Sequence, residues 1–164
     1  VQTYLNARPD RVSGLTGGTY YYHPAEHRLM SLTSGVDLDP TIHAAWINRS
    51  IYEGSAFSLF LVAQLQAIEP LYGSQSRHFA TLEAGLMTQL LDASAAECRL
   101  GLCQIGSLEF ERVRDLFALE ESHLLLHSLL GGAVDPDTPT AWSPVYEAYE
   151  RAATSAADRE EGEL

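Results

Sequence analysis

The sequence predicts a layered fold of the α+β or α/β type. Between residues 56 and 130, apolar runs of strand length alternate with stretches of helical period, in the order strand, helix, strand, helix, strand. That order is typical of one layered core. A chain of 164 residues fits a single domain, which buries roughly 70% of the surface that the unfolded chain exposes.

A β-hairpin is expected before this core. Residues 12–22 contain three glycines followed by three consecutive tyrosines, which predicts a loop feeding a strand. Residues 23–25 form the expected turn, and residues 28–32 form the returning strand. The chain starts at Val1, and its first dozen residues have the composition of a domain interior. We therefore expect the domain to be incomplete at its N-terminus.

The centre of the chain carries the clearest helix signal. Residues 56–63 are a continuous apolar run and predict a buried strand. A short helical turn at residues 64–66 follows, which Pro70 is expected to end. A long helix is then expected over residues 76–97, with Ser76 as its cap. Its apolar side chains recur at three- and four-residue steps and form a stripe of Phe79, Leu82, Leu86 and Leu90, widened by Met87 and Leu91.

The remaining elements complete the core and lead into an acidic segment. Residues 100–105 predict a short buried strand, residues 109–117 an amphipathic helix, and residues 123–130 another strand. Residues 133–164 contain prolines and an excess of acidic side chains, so we interpret them as a linker or tail with one possible helix at 144–157. Residues 1–132 are therefore the predicted domain.

Charge and composition exclude several partners. The chain has a net charge of -12, with ten arginines and no lysine. Nucleic acid and anionic membrane surfaces both need clustered positive charge, and no apolar run reaches the roughly 20 residues of a membrane helix. We therefore expect a cytoplasmic protein that binds neither. Cys98 and Cys103 match no disulfide framework or metal pattern and are expected to be small buried apolar residues.

Metal, hydrolase and dinucleotide sites find no support in the sequence. His23 with His27, and His123 with His127, have the spacing that places two ligands on one helical face. Neither pair lies in a predicted helix, and residues four apart on a strand are separated by about 13 Å. The sequence has no nucleophile elbow, and its glycine pairs precede a strand instead of opening a helix. We therefore expect no metal ion.

The block from Glu69 to Gly106 carries a family resemblance. It contains a Tyr-Gly turn, a long helix with a Glu-Ala-Gly step and a later glutamine, and a Gly-Leu-x-x-x-Gly strand. In this order the block resembles nitroreductase-like flavoproteins. The segments SAFSLFLV, LEAG, GLCQIG and HSLLGG, with the hairpin GTYYYHPAEHRL, resemble most closely the oxidase domains of nonribosomal peptide synthetases. The resemblance spans about residues 15–132, which we interpret as the C-terminal portion of such a domain.

The resemblance implies a cofactor and a partner. Members of this class use flavin mononucleotide (FMN), and the strand that ends at Gly106 lies beside the flavin. It therefore implies flavin contacts from Gln89 on the long helix and from the backbone of Gln104, Ile105 and Gly106. Gly85 lies in mid-helix, where glycine costs about 1 kcal/mol relative to alanine. In the family this helix lies at a dimer interface, so we expect a homodimer.

The implied reaction oxidises a thiazoline or oxazoline ring, tethered to a carrier protein, to a thiazole or oxazole. The reaction needs a base for the Cα proton and a flavin to accept the hydride from Cβ. Related oxidases carry a Lys-Tyr pair before the glycine of the turn, and here Leu71 replaces the lysine. Tyr72 is the remaining candidate base, with Arg77 as the cation that lowers its pKa.

Two departures from the family, the replaced lysine and the missing phosphate anchor, keep other functions open. The family's basic anchor for the flavin phosphate is missing, because Arg8 and Arg11 lack its Arg-x-Ser context. We expect the N-terminal half of the oxidase domain to supply that anchor. A degenerate oxidase-like scaffold without activity remains an alternative, as does a general flavin reductase of nitro or quinone compounds.

Overall fold

The computed structural model describes residues 1–45 and 47–135. Residues 1–134 form one compact unit, whereas most of the predicted acidic tail, including its possible helix, lies outside the described residues. The six strands are β1 (Gln2–Ala7), β2 (Gly18–His23), β3 (Arg28–Ser31), β4 (Phe57–Gln64), β5 (Leu100–Ile105) and β6 (His123–Ala133). The helices are α1 (Asn48–Gly54), α2 (Leu65–Tyr72) and α3 (Ser76–Ala95).

All six strands form one antiparallel sheet in the order β3-β2-β1-β4-β6-β5. The predicted hairpin is present as β2 and β3, and the three predicted core strands correspond to β4, β5 and β6. Strand β1 was not predicted, although it pairs with both β2 and β4. Helices and an antiparallel sheet together make this an α+β fold, as expected.

One face of the sheet is covered by an aromatic core. Phe60 of β4 packs against Phe117, with ring centroids 5.0 Å apart, and against Phe110, at 5.2 Å. Tyr4 of β1 meets Phe117 edge-on at 6.1 Å. Such contacts add about 0.5–1.5 kcal/mol per pair beyond the burial of apolar area. These rings therefore attach residues 110–117 to the centre of the sheet.

The other face of the sheet is covered by α3, through small side chains. Ala80, Ala84 and Thr88 are buried against the sheet, one turn apart, and Leu61 and Leu129 pack beneath them. The predicted apolar stripe points away from the sheet: Leu86 is 74% exposed and Leu90 is 69% exposed. Alanine at the buried positions lets the helix backbone approach the sheet closely, so the larger side chains are left on the outer surface.

Two expectations about the ends of helices were wrong. Helix α2 contains Pro70 and continues to Tyr72. Proline at this position removes one hydrogen bond of the last turns, and the helix ends instead at Gly73, which has φ of +53°. Ser76 does not cap α3, because its hydroxyl donates to the Gly73 carbonyl at 2.7 Å and so ties the start of α3 to the end of α2.

The amphipathic helix expected over residues 109–117 was also wrong. That segment forms two 3-10 turns, Phe110–Arg112 and Arg114–Phe117. Val113 lies between them with φ of -121°, outside the helical range. The spacing of Phe110, Val113 and Phe117 fits an α-helix, yet two short turns also direct all three side chains into the core.

Arg8, just after β1, connects three separate segments. Its Nη1 donates to the carbonyls of Tyr52 at 2.9 Å, Glu53 at 2.8 Å and Ser55 at 3.3 Å. Its Nε pairs with the Asp37 carboxylate at 3.2 Å. The guanidinium also lies 4.6 Å from the centre of the Tyr52 ring. Arg8 therefore holds the end of α1 and the loop before it against the first strand of the sheet.

We predict that Arg8→Met lowers the free energy of unfolding by about 2–4 kcal/mol, because the substitution leaves three backbone carbonyls and the Asp37 carboxylate without their hydrogen-bond donor. Urea denaturation followed by circular dichroism measures the loss. Arg11→Met is the matched control, since Arg11 is exposed and its side chain has no hydrogen bond or ion pair among the described residues. Equal stability of the two variants would contradict this role.

Candidate functional site

The candidate site lies at one end of the sheet. Strand β4 ends at Gln64, which pairs with His123 at the start of β6, and β5 ends at Ile105, which pairs with Ser128. Because both strands run antiparallel to β6, β4 and β5 both run toward the start of β6; β4 reaches it, and β5 stops opposite Ser128. Helix α2 starts at this end, with the Leu65 amide donating to the Ser122 carbonyl at 3.0 Å. The segment after β5 and the helices after β4 therefore begin from the same end of the sheet.

Strand β5 is the edge of the sheet, and this edge carries three of the expected flavin contacts. Gln104 is exposed, Ile105 is buried in the core, and Gly106 is exposed. A cavity of about 260 Å³ opens beside Gly106, between the end of β5 and the start of β6. A β-carbon added at Gly106 would meet no atom within 4 Å. The fold of this chain therefore does not require glycine at position 106. Free space beside a glycine is expected where a flat ligand approaches the backbone closely.

Gly101, at the other end of β5, has a different reason to be glycine. A β-carbon there would lie 2.9 Å from Cγ1 of Val134. Its small size therefore serves packing against the end of β6. Of the two glycines in the Gly-Leu-x-x-x-Gly segment, only Gly106 has open space beside it.

Sequence reasoning missed His127, which contacts one of the expected site residues. Its Nε2 lies 3.2 Å from Oε1 of Gln104, and burial lowers the pKa of the imidazole. A neutral imidazole can donate to the Gln104 side-chain oxygen and hold that side chain in place. The contact depends on the register of β5 against β6, which the sequence alone does not specify.

The two candidate catalytic residues are close in sequence but are not joined by a contact. Tyr72 is 48% exposed, and its ring packs on Phe79 with centroids 5.0 Å apart. Arg77 is also exposed, in the first turn of α3. Among the described residues, no hydrogen bond joins the Arg77 guanidinium to the Tyr72 hydroxyl. Gln89 is exposed on α3, beside the outward leucines.

The four histidines with suggestive spacing bind other protein groups. His23 Nδ1 accepts from the Glu26 amide at 3.2 Å, and His27 Nδ1 lies 2.7 Å from the Tyr22 hydroxyl. His123 Nδ1 accepts from the Glu120 amide at 3.1 Å. Each nitrogen supports a local turn or strand contact, as does the His127 contact with Gln104.

Two further expectations concern the cysteines and the basic residues. Cys98 is exposed, contrary to the expectation that both cysteines are buried; only Cys103 is partly covered, and burial raises the pKa of its thiol. Cys98 belongs to the 3-10 turn that ends α3 at the surface. Arg8, one of two basic residues near the start, contacts four oxygen partners through its Nε and Nη1. Within the described range, no helix is long and apolar enough to cross a membrane.

An antiparallel sheet with one long helix across its face, and an edge strand ending beside an open glycine, defines an α+β domain. Residues 5–132 match the model of the Nitroreductase family. The chain therefore belongs to the nitroreductase family.

Individual relatives agree with this assignment. Indigoidine synthase of Dickeya dadantii (strain 3937) is 29% identical over 100 residues, which is 60% of this chain and 6% of that protein. A protein assigned as a nitroreductase from Anabaena variabilis ATCC 29413 superposes with a TM-score of 0.69 and 20% identity, over 82% of this chain and 27% of that one. The E. coli microcin synthetase McbBCD complex, solved with truncated pro-MccB17 bound, gives a TM-score of 0.63 and 16% identity, over 82% and 52%. The chain thus spans only part of each relative.

Proposed function

We propose that this chain is the C-terminal portion of an FMN-dependent oxidase that converts a carrier-bound thiazoline or oxazoline to a thiazole or oxazole during nonribosomal peptide synthesis. The open backbone edge at Gln104–Gly106, beside a cavity and a glycine with free space, carries the proposal. The similarity to a microcin synthetase complex and to an indigoidine synthase supports a biosynthetic oxidase over a general reductase. Both names, a synthase and a synthetase, describe proteins of biosynthesis.

The residues of this chain fit one part of FMN better than the other. Along its outer edge β5 pairs with no other strand of the described residues, so its backbone groups there are available to the ring system, and Gly106 leaves space for it. Arg8 does not fit the phosphate, because its guanidinium already binds three carbonyls and Asp37. We therefore propose that the N-terminal half of the oxidase domain contributes the phosphate anchor, and that FMN binds where the two halves meet.

The reaction removes a proton from Cα of the ring and a hydride from Cβ, so the substrate loses two electrons and becomes aromatic. Bound FMN supplies the acceptor for the hydride. The role of this chain is to hold the ring and accept the proton. We assign the proton to the Tyr72 hydroxyl, which is half exposed and has no hydrogen-bond partner among the described residues. Only the phenolate form of tyrosine can take up this proton and become the neutral phenol, so the role requires Arg77 to move beside the Tyr72 oxygen and favour that form when substrate binds.

We predict that Gly106→Leu weakens FMN binding at least tenfold and leaves the melting temperature of the protein nearly unchanged. The leucine side chain would fill the space in which the ring is proposed to lie, yet the fold offers no atom for its β-carbon to strike. Quenching of flavin fluorescence during titration measures the dissociation constant.

The same titration tests the alternative of a degenerate scaffold, which the engagement of Arg8 favours. A protein that stays colourless after incubation with excess FMN, in the complete polypeptide, would contradict the oxidase proposal. Equal FMN affinity of the native and Gly106→Leu proteins would instead place the flavin elsewhere.

We predict that Tyr72→Phe lowers the rate of ring oxidation by 10²–10⁴-fold, the usual contribution of a general base, with little change in FMN content. Single-turnover reduction of the flavin by a carrier-bound thiazoline, followed at the flavin absorbance maximum, measures the rate. Phe79→Leu is the control, because Phe79 packs on the Tyr72 ring without a hydroxyl of its own. An unchanged rate in Tyr72→Phe would remove this residue from the mechanism.

The outward stripe of α3, defined as Phe79, Leu82, Leu86 and Leu90, is the proposed contact with a second copy of the chain. All four side chains are at least 44% exposed, and contiguous apolar surface of this kind marks interaction sites. Gly85 adjoins the stripe, and a β-carbon there would meet nothing within 4 Å in this chain. A glycine without a packing reason inside its own subunit is explained by close approach of another helix.

We predict that Leu86→Asp converts a dimer into a monomer, because a carboxylate would be buried without a partner at the interface. Size-exclusion chromatography with light scattering measures the mass. Thr81→Asp adds the same charge to the same helix outside the stripe and should leave the dimer intact. A native protein that is monomeric at micromolar concentration contradicts the proposed interface.

A further inference from the structure

A second polar cavity lies beyond the end of β5. It has a volume of about 280 Å³ and lies between the segment around His43 and the segment Ser107–Glu109. These segments meet through an isolated β-bridge between His43 and Leu108, and the Glu109 amide donates to the Ile42 carbonyl at 2.9 Å. The Asn48 side chain donates to the Ser107 carbonyl at 3.1 Å. The cavity walls are therefore fixed by hydrogen bonds from both sides.

His43 is a buried wall residue with unmet hydrogen-bonding capacity. Its side chain stacks on the Tyr52 ring, with centroids 4.8 Å apart, and the residue is only 2% exposed. Neither Nδ1 nor Nε2 has a hydrogen-bond partner in the described part of the chain. An unpaired buried polar group costs about 1–3 kcal/mol. Stacking alone would be served equally well by an apolar ring, so the two nitrogens need a separate reason.

Arg49 contributes an unpaired donor to the same cavity. Its Nε is buried without a partner, and its Nη2 reaches only the His43 carbonyl, at 3.5 Å. No carboxylate lies within 4.0 Å of this guanidinium among residues 1–45 and 47–135. The nearby acidic side chains are engaged by Arg112, which pairs with Asp39 at 2.6 Å and with Glu109 at 2.9 Å. Arg49 therefore has no direct ion pair among the described residues, and its positive charge lies at the cavity wall.

We propose that this cavity binds an oxyanion, a phosphate or a carboxylate, between the His43 imidazole and the Arg49 guanidinium. An imidazole N–H and the Arg49 Nε–H are both donors, and oxygen atoms of an anion accept from both. A bound anion satisfies the buried donors and neutralises the charge at once. Sequence reasoning gave no indication of this site, because His43 and Arg49 have no motif spacing, and Ser107 and Glu109 are far away along the chain.

The oxyanion has two possible sources. The cavity shares Ser107 and Leu108 with the cavity beside Gly106, so it lies next to the proposed flavin position without depending on it. The anion is a free small acid where the N-terminal half anchors the flavin phosphate, as proposed above, and it is the flavin phosphate where that half does not. Riboflavin has the same ring system as FMN without the phosphate, so a comparison of the two distinguishes these sources.

Thermal unfolding of the full chain in inorganic phosphate tests the site, with sodium chloride at equal ionic strength as the reference. We expect a saturable rise in melting temperature of roughly 2–4 °C at millimolar phosphate. The rise should be absent in Arg49→Gln and retained in Arg11→Gln, which removes an exposed arginine. Sodium acetate in place of phosphate shows whether a carboxylate is also accepted.

Two results would overturn the proposal: no saturable rise in the native protein with either anion, or an equal rise in Arg49→Gln. If Arg49→Gln is unfolded, His43→Phe keeps the stacking on Tyr52 and removes the ring nitrogens, and it should abolish the rise in the same way. Loss of FMN affinity in Arg49→Gln with unchanged riboflavin affinity identifies the flavin phosphate as the anion. An FMN affinity in that variant equal to that of the native protein, with the phosphate effect lost, identifies a free oxyanion.

Discussion

The contacts that join β1, the end of α1 and the loop around Asp37 all depend on the guanidinium of Arg8. Three carbonyls from the end of α1 and the residue after it converge on one side chain at the end of β1. Carbonyls at the end of a helix lack partners within the helix, and here a charged donor from the sheet satisfies them. Tyr52 is held by the same group, because its ring lies beneath the guanidinium and its hydroxyl donates to Asp37, which Arg8 also binds. The position of the segment that carries His43 and Arg49 follows from this arrangement.

The sequence predicts the strands of this fold better than their surroundings. Residues 56–63, 100–105 and 123–130 are short, continuous apolar runs of the kind that favours a buried strand, so their prediction depends only on local pattern. Strand β1 was missed because Asn6 and Thr3 interrupt its apolar residues, and its place between β2 and β4 comes from pairing with distant segments. The segment 109–117 was assigned to the wrong structure because an α-helix and two 3-10 turns place apolar residues at nearly the same spacing.

The residues of the candidate site also divide into those that the sequence predicts and those that only the folded chain shows. Gln104, Ile105 and Gly106 could be proposed from a motif, because a strand that ends in glycine is visible in the sequence. His127 and the pair of His43 and Arg49 could not, because their contacts cross between segments that only the folded chain brings together. Arg8 is the reverse case, in which the sequence suggests a site that the structure does not support. A basic residue near the start suggests an anion site, but its neighbours in space are carbonyls and Asp37. Sequence position alone cannot distinguish a ligand-binding arginine from a structural one.

The two edges of the sheet are protected to different degrees against pairing with a strand of another molecule. Strand β3 at one edge has only four residues, all exposed, and begins with Arg28; short length and charge both discourage another strand from pairing with it. Strand β5 at the other edge has six residues, LGLCQI, and no charged side chain. Its unpaired backbone groups form a template for strand addition. When this chain is produced without the polypeptide that accompanies it in longer relatives, aggregation should therefore begin at β5, and a lysine introduced along that edge should improve solubility.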